Sequence, residues 1–282
     1  MKHMDAQTLS ELQRRERFML FLTMLLFLTC LFALVSRWPI AYPLVVFACA
    51  FHLIANRVCK KRYRLAFTQA LMEHAVQGWA EVVSFAKDEG ADGLLIRGGL
   101  VPDVTFIPGA KQHHVLRGMA NGVPFCVGEA AFIRKRANGA VESVAGTLVI
   151  AEDILPKDER WVMLCEGALQ SVCSDEEYER GGYEKALAGD AALPKTCVIY
   201  RYRDAAVSSL EACAAAMRAQ IMPNRPVALA ARDGALTLFG VGSFFAPKKV
   251  DSTKPFDPRM LEGVGIPELE AVGKMIRMHG QR

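Results

Sequence analysis

Apolar positions are spread unevenly along the chain, and the heaviest concentration comes first. Between Arg17 and Arg37 runs the uncharged segment FMLFLTMLLFLTCLFALVS, Phe18 to Ser36. Between Arg37 and Arg57 runs WPIAYPLVVFACAFHLIAN, Trp38 to Asn56, and each segment has 19 residues. A helix of that length rises ~28 Å, close to the hydrocarbon thickness of a bilayer. The connection SRWPIAYP is short and holds two prolines, so a transmembrane helical hairpin is expected over residues 18–58, after an N-terminal tail over 1–17. One rival reading makes the first segment a cleavable signal peptide. Its length, the second apolar run behind it and the lack of a small-x-small cleavage site oppose that. The other rival is one span plus an interfacial helix, because Pro43 leaves only about 13 clean residues after it.

Behind the hairpin, KKRYRLAFTQALMEHAVQGWAEVVSFAK places Leu65, Leu71, Met72, Ala75, Trp79, Val82, Val83 and Ala86 mostly three or four apart. That spacing predicts a connector helix within 59–92, ended by Gly90. From about Leu94 to Glu152 the apolar positions tend to alternate, with Asn-Gly at 121–122 and 138–139. Asn-Gly accepts the positive φ angles of tight hairpins, so strands are expected near 113–119, 124–136 and 140–151. RWVMLCE adds another strand, and SDEEYERGG offers Ser174 or Asp175 as the cap of a short helix. TCVIYRYR then reads as a strand, and DAAVSSLEACAAAMRAQIM as a helix capped by Asp204. A hairpin about Asp233-Gly234 follows, then a loop rich in Pro and Lys, then a helix over IPELEAVGKMIRMHG. The expected class is α+β, with antiparallel sheets and flanking helices over 93–282.

Charge sorts with these boundaries. Ten of the 34 Lys and Arg but only three of the 30 Asp and Glu precede Leu65, leaving 24 cations and 27 acids from Leu65 onward, a net of −3. The basic excess flanks the apolar segments: Arg14, Arg15 and Arg17 before them, and Arg57, Lys60, Lys61, Arg62 and Arg64 after them. Cations at those ends place both termini in the cytoplasm and attract anionic lipid head groups. The α+β part carries no basic excess, so a nucleic-acid partner is not expected.

Eight cysteines are present, five of them scattered through the α+β part at Cys126, Cys165, Cys173, Cys197 and Cys213. With no CxxC spacing they suit a reducing compartment without a disulfide framework. Cys59, just past the second segment, is open to acylation but is more simply inert.

No GxSxG, HExxH or GxxxxGK motif occurs, and the GxG of FGVGSFF falls in a strand rather than before a helix. No cofactor or metal is expected. His52 is the one imidazole in the apolar segments and lies close to Arg57, where an amphipathic ring is easily placed; His74 reads as a solvated helix residue. What remains is KQHHVLRGMANGVPFCVGEA. A two-residue loop at Asn121-Gly122 pairs Arg117 with Cys126 and His114 with Glu129, and alternation sends His113 and His114 to opposite faces. His114 and Glu129, with Arg117 nearby, are therefore the candidate acid/base residues, the simpler reading being an ordinary strand pair.

The segments HVLRG (114–118), VPFCVGE ending at Glu129, and VAGTL (144–148) resemble motifs of a bacterial membrane-protein family known as domain of unknown function three-one-three-seven. YRYRDAAVSSLEACAAAM and ALTLFGVGSFFAP are similar to later segments of that family. His114 stands where the family has an acidic residue, and Val144 where it has an aromatic one. The resemblance implies two transmembrane helices, a cytoplasmic domain and an inner-membrane location, with no assigned reaction. The expected function is a membrane-anchored, non-catalytic module that binds a protein partner, a second copy of itself included, or senses a local state. The alternatives are a membrane-bound enzyme using His114 and Glu129, and a structural subunit of an envelope or secretion complex.

Overall fold

The computed structural model describes residues 6–90, 98–103, 111–135, 141–165, 173–186, 197–220, 227–242, 256–261 and 267–279. The chain divides into two compact units: residues 1–74 with 247–264, and residues 75–246 with 265–282.

The first unit is helical. α1 runs Ala6–Val35, and α2 runs Ala41–Ala55. A π-turn, Asn56–Lys60, leads into α3, Lys61–Val76. Two helices here are long and apolar enough to cross a membrane. The residues buried along α1 and α2 include Thr23, Cys30 and Ala33 facing inward on one helix and Ala41, Ala48 and Ala55 on the other. Thr23 and Cys30, and Ala41, Ala48 and Ala55, recur at seven, which keeps small side chains on one stripe and lets helix backbones approach closely. Large apolar side chains point outward instead, among them Phe18, Phe21, Met24, Phe32, Val46 and Ile54. Thr23 and Thr29 donate their hydroxyls to the carbonyls of Met19 and Leu25, so neither needs water. His52 packs edge-on against Phe27, with ring centroids 5.9 Å apart.

Within the N-terminal tail, residues 6–17 are helical, because α1 begins at Ala6. Leu9 and Leu12 of α1, Tyr63, Ala66, Phe67, Ala70 and Leu71 of α3, and Phe256, Met260 and Leu261 form a separate small core. Gln13 Oε1 accepts the Phe256 N–H at 2.6 Å, and Asp257 caps a 3₁₀ turn over Pro258–Met260. This apolar return of the chain inside a Pro- and Lys-rich stretch gives no periodic signal.

The second unit is built on one nine-stranded sheet, with every ladder antiparallel. Its strands are β1 Glu81–Gly90, β2 Lys111–Ala120, β3 Val123–Lys135, β4 Val141–Ala151, β5 Arg160–Cys165, β6 Tyr183–Ala186, β7 Cys197–Tyr202, β8 Val227–Arg232 and β9 Ala235–Val241. Their order is β1-β2-β3-β4-β9-β8-β5-β7-β6. The helices are α4 Asp175–Arg180, α5 Leu210–Gln220 and α6 Pro267–His279. The α+β class and the antiparallel pairing match expectation. The Asn138-Gly139 turn lies outside the described residues.

The expected connector helix is corrected. α3 stops at Val76, Gly78 takes φ +88°, and Glu81–Gly90 is strand β1. Trp79, Val82, Val83 and Ala86 satisfy a helical spacing, but Val82 and Val83 are β-branched and the chain has already turned at Gly78. The indole of Trp79 donates to Ala75 O at 3.2 Å and stacks on Phe125 at 5.5 Å. On this face of the sheet α6 buries Leu269, Val272, Met275 and Ile276, and Gly273 lies against Trp79 so closely that a Cβ would meet the ring at 3.2 Å.

The opposite face holds an apolar core, with Leu148, Val162, Leu164 and Phe239 from the sheet, Leu100 and Val101 from the 98–103 segment, and Tyr178 from α4. Ser174 caps α4 in a capping box with Glu177. That box aims Tyr178 inward, where it stacks on Tyr200 at 4.3 Å and donates its hydroxyl to Leu100 O at 2.7 Å.

Two further expectations change. The helix expected from Asp204 begins at Leu210, because Ser209 rather than Asp204 precedes its first turn. Cys165 and Cys197, expected to be free thiols, are register partners in β5 and β7 with Cα atoms 4.1 Å apart, and they form a disulfide. Linear spacing hides this, since 32 residues separate two strands that the sheet makes neighbours.

Candidate functional site

The β2–β3 hairpin turns at Asn121 (φ +50°) and Gly122 (φ +79°), as an Asn-Gly pair allows. From the turn outward the register follows a two-residue loop: Ala120 opposite Val123, Gly118 opposite Phe125, Arg117 opposite Cys126. Between Leu116 and His113 it shifts by one residue, so that His113, not His114, is the backbone partner of Glu129. The extra residue is a β-bulge, and His114 sits in it at φ +53°.

The bulge changes both expectations for the histidines. It turns His114 so that Nδ1 stands 3.2 Å from Glu129 Oε2, with side-chain exposures of 27% and 19%. It also cancels strict alternation: His113, paired with Glu129, and His114, bonded to it, lie together with ring centroids 6.5 Å apart. The half-buried imidazole and carboxylate form a hydrogen bond in any protonation state that leaves one proton between them, and an ion pair when the imidazole is protonated. Arg117 is not brought to this pair, since its partner Cys126 is on the other face of β3 from Glu129. On that other face Gln112 Nε2 contacts Cys126 Sγ at 4.0 Å.

Glu129 has Thr147 of β4 as its second neighbour in register. Thr147 is fully buried, and its Oγ1 has no hydrogen-bond partner among the described residues. The arrangement is thus two imidazoles, one carboxylate and one orphan hydroxyl across three strands. It can bind or relay a proton. Among the described residues no three His, Cys, Asp or Glu converge as a metal site.

Two polar clusters escaped the sequence. In the first, Arg160 and Arg232 are direct partners across β5 and β8, a like-charge pair that would repel. Asp103 bridges them: Arg232 donates to both its carboxylate oxygens at 2.6 and 2.9 Å, and Arg160 to one at 3.4 Å. The Arg232 fork holds the Asp103 carboxyl below its ordinary range against a smaller opposing effect of burial. Arg160 also lies 4.0 Å above the Tyr202 ring and donates to the Tyr183 hydroxyl at 3.3 Å.

In the second, the buried Glu159 carboxylate accepts from the hydroxyls of Ser208 and Ser209, from Ser209 N–H at 3.0 Å and from the Trp161 indole at 3.0 Å. Burial pushes this carboxyl up, but four donors outweigh it and the net displacement is downward. The carboxylate thereby anchors the first turn of α5 to β5, where negative charge complements the exposed N–H groups of the helix start. Both clusters join residues far apart in sequence. The only linear signal was a Glu-Arg pair at the start of a strand.

No family model, curated protein or solved structure matches the chain.

Proposed function

We propose that this protein is a membrane-anchored module. α1 and α2 form a transmembrane hairpin with both termini in the cytoplasm, and the sheet unit works there as a non-catalytic element that binds a protein partner or senses a local state. The observation that carries the reading is the outward apolar surface of α1 and α2, with Phe21, Met24 and Phe32 of one helix and Val46 and Ile54 of the other each more than half exposed. Monomeric proteins in water do not keep an apolar patch of this extent uncovered, whereas a bilayer accepts it. The cations at Arg14, Arg15, Arg17, Arg57, Lys60, Lys61, Arg62 and Arg64 set the orientation and favour an anionic leaflet. The test is in-cell crosslinking of the intact protein followed by identification of its adducts. A reproducible protein adduct through the sheet unit is the expected result, and a soluble-fraction protein with no adducts overturns the reading.

One observation favours a second reading, a membrane-bound enzyme: the 3.2 Å His114–Glu129 contact joined to a second imidazole. Turnover of any substrate by the intact protein that is lost in His114→Ala and Glu129→Gln would establish it. A structural role in a larger envelope assembly requires, by contrast, that native size fall when the two helices are removed.

A further inference from the structure

Near the start of α1 a cavity of about 820 Å³ is lined by Glu11, Arg14, Arg15, Arg17, Phe18, Met19, Phe21 and, from the π-turn, Cys59. We infer that it is a binding site for the phosphodiester head group of an anionic phospholipid; this rests on α1 and α2 being membrane helices. Arg14 and Arg15 each lie three or four residues from both Glu11 and Phe18, and Phe21 lies three beyond Phe18, so these side chains run along one side of the helix. That face changes character along its length, from charged side chains to phenyl rings that are 59% and 61% exposed at Phe18 and Phe21. Such a sequence of polarity matches a lipid, with phosphate at the arginine end and acyl chain along the rings. It does not match a free phosphate ion, which has no use for the apolar half.

Charge points the same way. Three guanidiniums line the cavity; Arg17 also faces the Glu16 carboxylate, and Arg14 and Arg15 against Glu11 leave one positive charge, which matches the single negative charge of one phosphodiester. The site is made by two segments distant in sequence, α1 and the π-turn Asn56–Lys60. A lipid seated there would touch both, and so act as a wedge specific to this junction rather than as part of a general basic halo.

The experiment uses the full-length chain in nanodiscs of phosphatidylcholine with one-fifth phosphatidylglycerol, and measures phosphatidylglycerol retained after gentle delipidation by native mass spectrometry. Wild type is expected to hold about one phosphatidylglycerol per chain. Arg14→Gln/Arg15→Gln should reduce this at least fivefold, while Arg62→Gln, a cation outside the cavity, should not. Unchanged retention in the double variant, or equal loss in Arg62→Gln, overturns the site. Competition with 10 mM inorganic phosphate separates the sources: retention should persist, and displacement by phosphate would overturn the assignment to lipid. Alkaline carbonate extraction of the same variants checks the premise separately. Release of wild type by carbonate would sink the membrane reading itself, whereas loss of retention with extraction resistance intact is the result expected of the double variant.

Discussion

His114 bonds Glu129 through its side chain, yet the backbone pairs Glu129 with His113. Both facts come from one extra residue in β2, and they put a non-glycine residue at φ +53° in the middle of a ladder. Such a conformation is costly for a β-branched side chain and cheap for asparagine. His114→Asn should therefore stay within ~0.5 kcal/mol of wild type, and His114→Val should lose about 1–3 kcal/mol. Urea unfolding followed by Trp79 and Trp161 fluorescence measures both. Equal losses would mean that the bulge is not held at His114.

Glu159 makes a pH-dependent contribution whose sign follows from its lowered carboxyl. The stabilisation is complete above the ordinary glutamate range, where the unfolded chain is ionised as well. It is lost as pH falls through the lowered folded value, because there the folded carboxylate must take up a proton. Glu159→Ala removes the acceptor shared by two serines and Trp161 and should cost about 2–4 kcal/mol at pH 7. The acid limb of its stability profile should be flatter than that of wild type, and a parallel limb would refute the assignment.

Burial first, and the neighbouring Glu159 carboxylate second, push the Cys213 thiol up to about 12. At pH 7.5 essentially none of it is thiolate, the form that reacts. Iodoacetamide should label Cys213 in urea but not in the folded protein, with peptide mapping as the readout. Labelling of folded wild type at the rate of a free thiol would contradict this environment.

The Cys165–Cys197 bond closes a loop across β5 and β7. Removing it with Cys165→Ala/Cys197→Ala should cost about 2–4 kcal/mol. Non-reducing mass spectrometry of the purified protein after mild oxidation should show the two residues as one crosslinked peptide. Finding both alkylated after oxidation would refute the pairing.

What could be read beforehand and what could not divide along physical lines. Asn121-Gly122 and Asp233-Gly234 each take two positive φ angles, a local demand that few residue pairs meet, so both hairpins were legible. The apolar helices were legible because each is an uninterrupted apolar run long enough to cross a membrane. β1 was not, since Trp79, Val82, Val83 and Ala86 fit two periods and only the Gly78 turn decides between them. The His114–Glu129 contact was anticipated by turn arithmetic, but the bulge that gives His113 the backbone pairing leaves no trace in the residues themselves. Arg160, Arg232 and Asp103 meet only after the sheet has ordered its strands. Their charges look like ordinary surface in one dimension.

The strand order holds a consequence for synthesis. β4 and β8 touch no common strand except β9, which lies between them and ends at Val241. Until the ribosome has released that stretch, the emerging chain carries two separate half-sheets, each with an open edge where β9 will insert. A nascent chain paused before Ala235 is thus the point of greatest exposure to unwanted edge pairing, and one seven-residue segment closes both edges at once.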